Sequence, residues 1–119
     1  MSQVLPVTAE TFQSEVLESS IPVLVDLYAT WCAPCRMMAP VLDRLAVELE
    51  GQVKIVKIDT DEQPELAGAF HVSSIPMLAL IKDGEVVDSS VGLVSPDQIR
   101  QMVKKVMPAA SVPAQTTGR

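Results

Sequence analysis

Two cysteines and one histidine are all that this sequence offers as soft metal ligands. A closed zinc site takes four such groups, so one chain cannot complete one. A site shared between two chains is the metal alternative. Two cysteines also allow at most one internal disulfide, so the fold does not rest on a disulfide framework. Basic residues are scarce: nine Lys and Arg stand against fifteen Asp and Glu, a net charge of −6. That balance repels phosphate backbones and anionic lipid, which argues against nucleic acid and membrane surfaces as partners. It favours a soluble monomer. No apolar run approaches the length of a membrane span. The start, Met1-Ser2-Gln3-Val4-Leu5-Pro6, has neither a basic segment nor the apolar stretch of a signal peptide. The expected location is therefore the reducing cytoplasm, where a close cysteine pair reads as catalytic or metal-binding rather than structural. There is no internal repeat and no cofactor-binding motif, so no bound cofactor is expected.

What is present suits one globular domain. The chain has 119 residues, of which 48% are hydrophobic and 20% charged, enough to form a core without staples. The domain is expected over residues 1–107. Residues 108–119, rich in proline, alanine and small polar side chains without an apolar period, are expected to form a disordered tail. Residues 4–7 predict a short strand. Thr8 is placed to cap a helix carrying Phe12, Val16 and Leu17 on one face. Residues 21–28 read as a buried strand, apolar except for Asp26. Met38, Val41, Leu42, Leu45 and Leu49 repeat at helical steps, with Gly51 as the stop and a kink expected at Pro40. Residues 53–58 predict a second buried strand, 59–70 a short helix and 77–81 a third strand. Lys82-Asp83-Gly84-Glu85 carries a hairpin signature leading into 86–91. Ser95 and Pro96 open a last helix that buries Ile99, Met102, Val103 and Val106. Strand–helix–strand over 22–58 implies a parallel crossover, and the later hairpin an antiparallel pair. The fold class is therefore α/β, a mixed sheet with helices on both faces. Reactive sites in such sheets lie at the carboxyl ends of the parallel strands.

Trp31-Cys32-Ala33-Pro34-Cys35 falls at such an end, between a strand and a helix. Free amide N–H groups and the positive end of the helix dipole favour a thiolate at Cys32. Cys35, one turn further in, is expected to be the less exposed sulfur, and two intervening residues bring the pair within bonding reach. Pro34 fits the first turn, where its missing N–H costs nothing. The chemistry follows: Cys32 attacks a disulfide in a target protein, and Cys35 resolves the mixed disulfide.

At this point the chain resembles the thioredoxin family over about residues 3–107. The resemblance rests on Val25-Asp26, Trp31-Cys32-x-Pro34-Cys35, Lys57 with Asp59, Ser74-Ile75-Pro76, Gly84 and Val91-Gly92, in that order. It implies a five-stranded mixed sheet flanked by four helices and a protein disulfide reductase that serves as an electron donor. It also implies that a flavoprotein, thioredoxin reductase, returns electrons from NADPH to the Cys32–Cys35 disulfide. Disulfide-containing proteins are the implied targets. Asp26 matches the family's buried acid. A desolvated carboxyl has a raised pKa, which suits it to accept the Cys35 proton; an exposed strand-end aspartate is the plainer alternative. Lys57 is implied to lie near Asp26, or else is an ordinary solvated lysine. Ile75-Pro76 matches a cis-proline loop whose backbone pairs with the target chain, and Gly92 would allow close backbone approach at the same groove. Trp31, Ala33 and Pro34 would form the contact surface around the nucleophile. His71 receives no role.

Three positions depart from the family pattern. Ala33 stands where glycine is usual, Tyr28 where tryptophan is common, and Met77 where threonine is common. Met77, which joins Met37 and Met38 close to the cysteine motif, is expected to make the target groove greasier and open to oxidation; core packing is the alternative, above all for Met37 and Met38. A second class of function is a non-catalytic subunit of another enzyme built on the same fold.

Overall fold

The computed structural model describes residues 3–107. The tail expected from residue 108 lies outside the described residues. Five strands form one sheet: β1 (Leu5–Pro6), β2 (Val23–Tyr28), β3 (Lys54–Asp59), β4 (Met77–Lys82) and β5 (Glu85–Val91), in the spatial order β1-β3-β2-β4-β5. β1, β3 and β2 run parallel, whereas β4 and β5 are antiparallel to their neighbours.

β2 lies at the centre because its apolar residues serve both sheet faces. Leu24 faces one cluster with Met38, Leu42, Leu45, Ile55, Leu78, Leu80, Ile99 and Val103. This is the layer of α1 (Ala33–Glu48) and α3 (Pro96–Lys104). Val23, Val25 and Leu27 face the other, with Val16, Val56, Ile58, Leu66, Ala79 and Ile81. This second layer is closed by α2 (Pro64–Ala69), by a turn of π-type helix at Gln13–Leu17, and by an edge-to-face contact between Phe12 and Phe70. The mixed α/β architecture and its four helical segments are therefore as the sequence implies.

Local chemistry sets the ends of the elements. The first helix is shorter than its apolar spacing predicts. Glu18 N–H donates to Gln13 O, a five-residue step that widens the turn, and no side chain caps it. The helix expected over 59–70 starts only at Pro64, because the Asp59 side chain accepts the N–H groups of Asp61 and Glu62 and holds them in a turn. α1 starts earlier than its apolar repeat, at Ala33, and runs unbroken through Pro40. α3 opens on a reciprocal cap between Ser95 and Gln98. Asp83 and Gly84 both adopt positive φ, +53° and +80°, as the tight β4–β5 hairpin requires.

Candidate active site

Four elements bring their ends to one place. β2 and β3 finish there, and antiparallel β4 begins there, with Met77 opposite Leu27. β5 returns to the same point, with Val91 opposite Met77. The chain leaving β2 passes Ala29 and Trp31 and enters α1 through the cysteines.

Cys32 is the N-cap of α1, in extended backbone, and its Sγ accepts the backbone N–H of Cys35 at 3.2 Å. Pro34 sits in the first turn. The two sulfurs are joined as a disulfide. The expected difference in exposure is absent: Cys32 is 5% and Cys35 4% exposed, both packed with Ala29, Tyr28 and Ile75. The closed ring holds both sulfurs against the same small cluster. Ala33 and Pro34 are exposed beside them. Among the described residues, no group of three or more His, Cys, Asp or Glu side chains converges on a metal position.

Asp26 is the buried charged residue of the sheet, 6% exposed, and its Oδ1 has no hydrogen-bond partner among the described residues. Burial raises its pKa to about 7, while the positive charge of Lys57 pulls in the opposite direction. Lys57 is its register partner on β3. A cavity of about 210 Å³ joins the two to Cys35; it is lined by Asp26, Tyr28, Thr30, Cys35, Arg36 and Lys57, among others. Arg36 is held there by donating from Nη1 to Thr30 O at 2.8 Å.

On the outer side, the Ile75–Pro76 peptide bond is cis, and Pro76 is buried while Ile75 is half-buried. Gly92 donates its N–H to Pro76 O at 2.8 Å. Its φ of +93° is what calls for glycine; a Cβ there would meet nothing within 4 Å of its own fold. Trp31 is 67% exposed, yet its Nε1–H donates to Asp61 Oδ2 at 2.8 Å. Sequence reasoning missed Asp61; the acidic run after β3 was its one signal. The three methionines separate. Met38 is core, and Met37 is 63% exposed on α1. Met77 is half-buried and packs on the cluster of the sheet face opposite α1. His71 is an exposed loop residue at positive φ after α2.

The Thioredoxin family model matches residues 3–105. The chain is 48% identical over 105 residues to Thioredoxin 1 of Nostoc sp., covering 88% of this chain and 98% of that one. Thioredoxin 1 of Synechococcus elongatus is 55% identical over 94 residues, 79% of this chain and 88% of its own. The thioredoxin of Haemophilus influenzae is 46% identical over 105 residues, 88% and 98% of the two chains. With a cysteine pair closed at the head of a helix and these likenesses over nearly the whole fold, the chain belongs to the thioredoxin family and is a thiol–disulfide oxidoreductase, a protein-disulfide reductase.

Proposed function

We propose that Cys32 is the nucleophile, Cys35 the resolving thiol and Asp26 the proton acceptor between them. The observation that carries this reading is the Cys35 N–H donating to Cys32 Sγ at the mouth of a 16-residue helix. In the reduced protein the same N–H and the helix dipole stabilise a Cys32 thiolate, lowering its pKa and keeping it nucleophilic near neutral pH.

The thiolate attacks one sulfur of a target disulfide. A bond forms between Cys32 Sγ and that sulfur, and the other target sulfur leaves as a thiolate. The Cys35 thiol gives its proton to the Asp26 carboxylate across the shared cavity. Cys35 Sγ then attacks Cys32 Sγ, and the second target sulfur departs. The target gains two electrons, and the protein ends as the Cys32–Cys35 disulfide.

The target chain runs over Trp31, Ala33 and Pro34 and along Ile75, Pro76, Met77 and Gly92. The exposed indole, the backbone of the cis-proline loop and the open space above Gly92 support this path. The protein acts as a cytoplasmic monomer. It passes electrons onward to disulfide-containing enzymes, and NADPH returns them through thioredoxin reductase. The net charge of −6 supports the monomer.

Insulin disulfide reduction tests the reading, first with dithiothreitol and then with NADPH and thioredoxin reductase. Turnover in both is expected, and Cys35→Ser should stop it while accumulating mixed disulfide. Turnover that survives Cys35→Ser would overturn the assigned roles, and none in the parent would leave a non-catalytic subunit.

A further inference from the structure

Tyr28 ends β2 two residues beyond Asp26, so the two side chains stand on one face of the sheet. Lys57, in register with Asp26 on β3, places its Nζ 5.9 Å from the centre of the Tyr28 ring. That separation is within reach of a cation–π contact. Tyr28, Lys57 and Asp26 line the same cavity as Cys35. The geometry points to Tyr28 as a positioning residue: its ring detains the Lys57 ammonium beside Asp26 and so keeps a counter-charge on the proton acceptor. The catalytic meaning of this contact rests on Asp26 taking the Cys35 proton; the contact itself does not.

A lysine stem is flexible and its ammonium strongly hydrated, so a half-buried ammonium drifts toward water unless partners hold it. Around Asp26 such partners are few. β4 presents Leu78 in register. α1 presents Cys35 and Arg36, and the Arg36 guanidinium is committed to Thr30 O. β3 presents Lys57 and, at its end, Asp59, whose Oδ1 is engaged by two backbone N–H groups. Asp26 attracts the ammonium by charge, and the ring attracts it through its face. The ring acts here as a neutral phenol. Burial pushes the Tyr28 hydroxyl above its ordinary pKa, and the carboxylates of Asp59, Asp26 and Glu62 add to this. Any residue with a π face should therefore serve, and a branched aliphatic one should not.

The experiment follows the Asp26 carboxyl by carbon-13 chemical shift against pH in the full chain. It compares the parent, Tyr28→Phe, Tyr28→Trp and Tyr28→Leu, each also in a Lys57→Met background. Phe and Trp should titrate like the parent, and Leu should raise the Asp26 pKa by about half a unit. In the Lys57→Met background the Leu shift should vanish. A Leu shift that persists without Lys57 reports burial alone and overturns the proposal. So does no Leu shift at all, or an equal shift with Phe. Should Tyr28→Leu fold poorly, Tyr28→Thr carries the same comparison with a residue suited to a strand end. If turnover in the parent fails to follow the Asp26 titration, the proton-acceptor role falls while the ring–ammonium contact stands.

Discussion

Gly92 donates its backbone N–H to the carbonyl oxygen of Pro76, and this single bond ties the end of β5 to the cis-proline loop that faces the cysteines. The loop that flanks the disulfide is thus braced by a residue sixteen positions later, at a φ that side chains avoid.

Replacing Gly92 by alanine tests that brace. The added Cβ meets no neighbour, so packing is untouched and the cost is conformational, about 1–2 kcal/mol. Urea denaturation should show this loss of stability. Relaxation of the backbone away from +93° should also loosen the Pro76 bond and lower kcat/KM for insulin reduction several-fold. Unchanged stability and turnover would show that the position tolerates a side chain.

Asp26 makes the fold sensitive to pH in a direction opposite to that of most carboxylates. Its folded pKa of about 7 lies above the ordinary 3.8. Below the ordinary value the acid is neutral in both states and costs nothing. Through the window up to about 7 the unfolded chain has released a proton that the folded one retains, so stability falls as pH rises. Above that window the loss is complete, on the order of 4 kcal/mol. Asp26→Asn should remove this slope, as read from denaturation midpoints across the window. A slope that survives the substitution would place its source elsewhere.

Asp61 anchors an indole that is otherwise mostly in solvent. Asp61→Ala should release Trp31 and change its fluorescence, which is free of interference because the chain has one tryptophan. Stability should change by less than about 1 kcal/mol, since the bond is exposed to water. KM for protein disulfides should rise with kcat little altered. Asp61→Asn, which retains a carbonyl acceptor, should restore most of the affinity.

The cap of α3 makes a plain stability prediction. Ser95 accepts the Gln98 N–H, and the Gln98 side chain accepts the Ser95 N–H. Ser95→Ala should cost about 1 kcal/mol and lower Tm by roughly 4–8 °C for a domain of this size. The reductase activity should be unaffected at room temperature, because the buried residues of α3 belong to a different cluster from that of the cysteines.

The parts of the fold written in apolar periodicity are legible in the sequence itself. Val23 to Leu27 announce a central strand, and Leu42 and Leu45 announce the helix that covers it. Asp26 stood out because nothing else in that strand is polar, and the β2–β3 register puts Lys57 against it. What escaped was decided by single polar groups. The Asp59 carboxylate delays α2 by holding two N–H groups, and no periodicity reports that. The Trp31–Asp61 bond spans thirty positions and joins two exposed residues, so only the acidic run after β3 hints at it. The expected difference in exposure between the two cysteines follows from their order along the helix; in the disulfide the two residues are buried alike. The place of Met77 after Pro76 marks its backbone for the groove, but strand alternation, not visible in that placement, packs its side chain on the cluster opposite α1.

α1 begins without a hydroxyl or carboxylate, the usual groups at a helix N-cap. The atom that starts this helix is the sulfur of Cys32, and a hydroxyl can do that work equally well. A protein with Cys32→Ser and Cys35→Ser together should therefore keep the shape of its docking surface while having no sulfur left to bond with. It would be a decoy, able to hold targets by shape alone and release them unchanged.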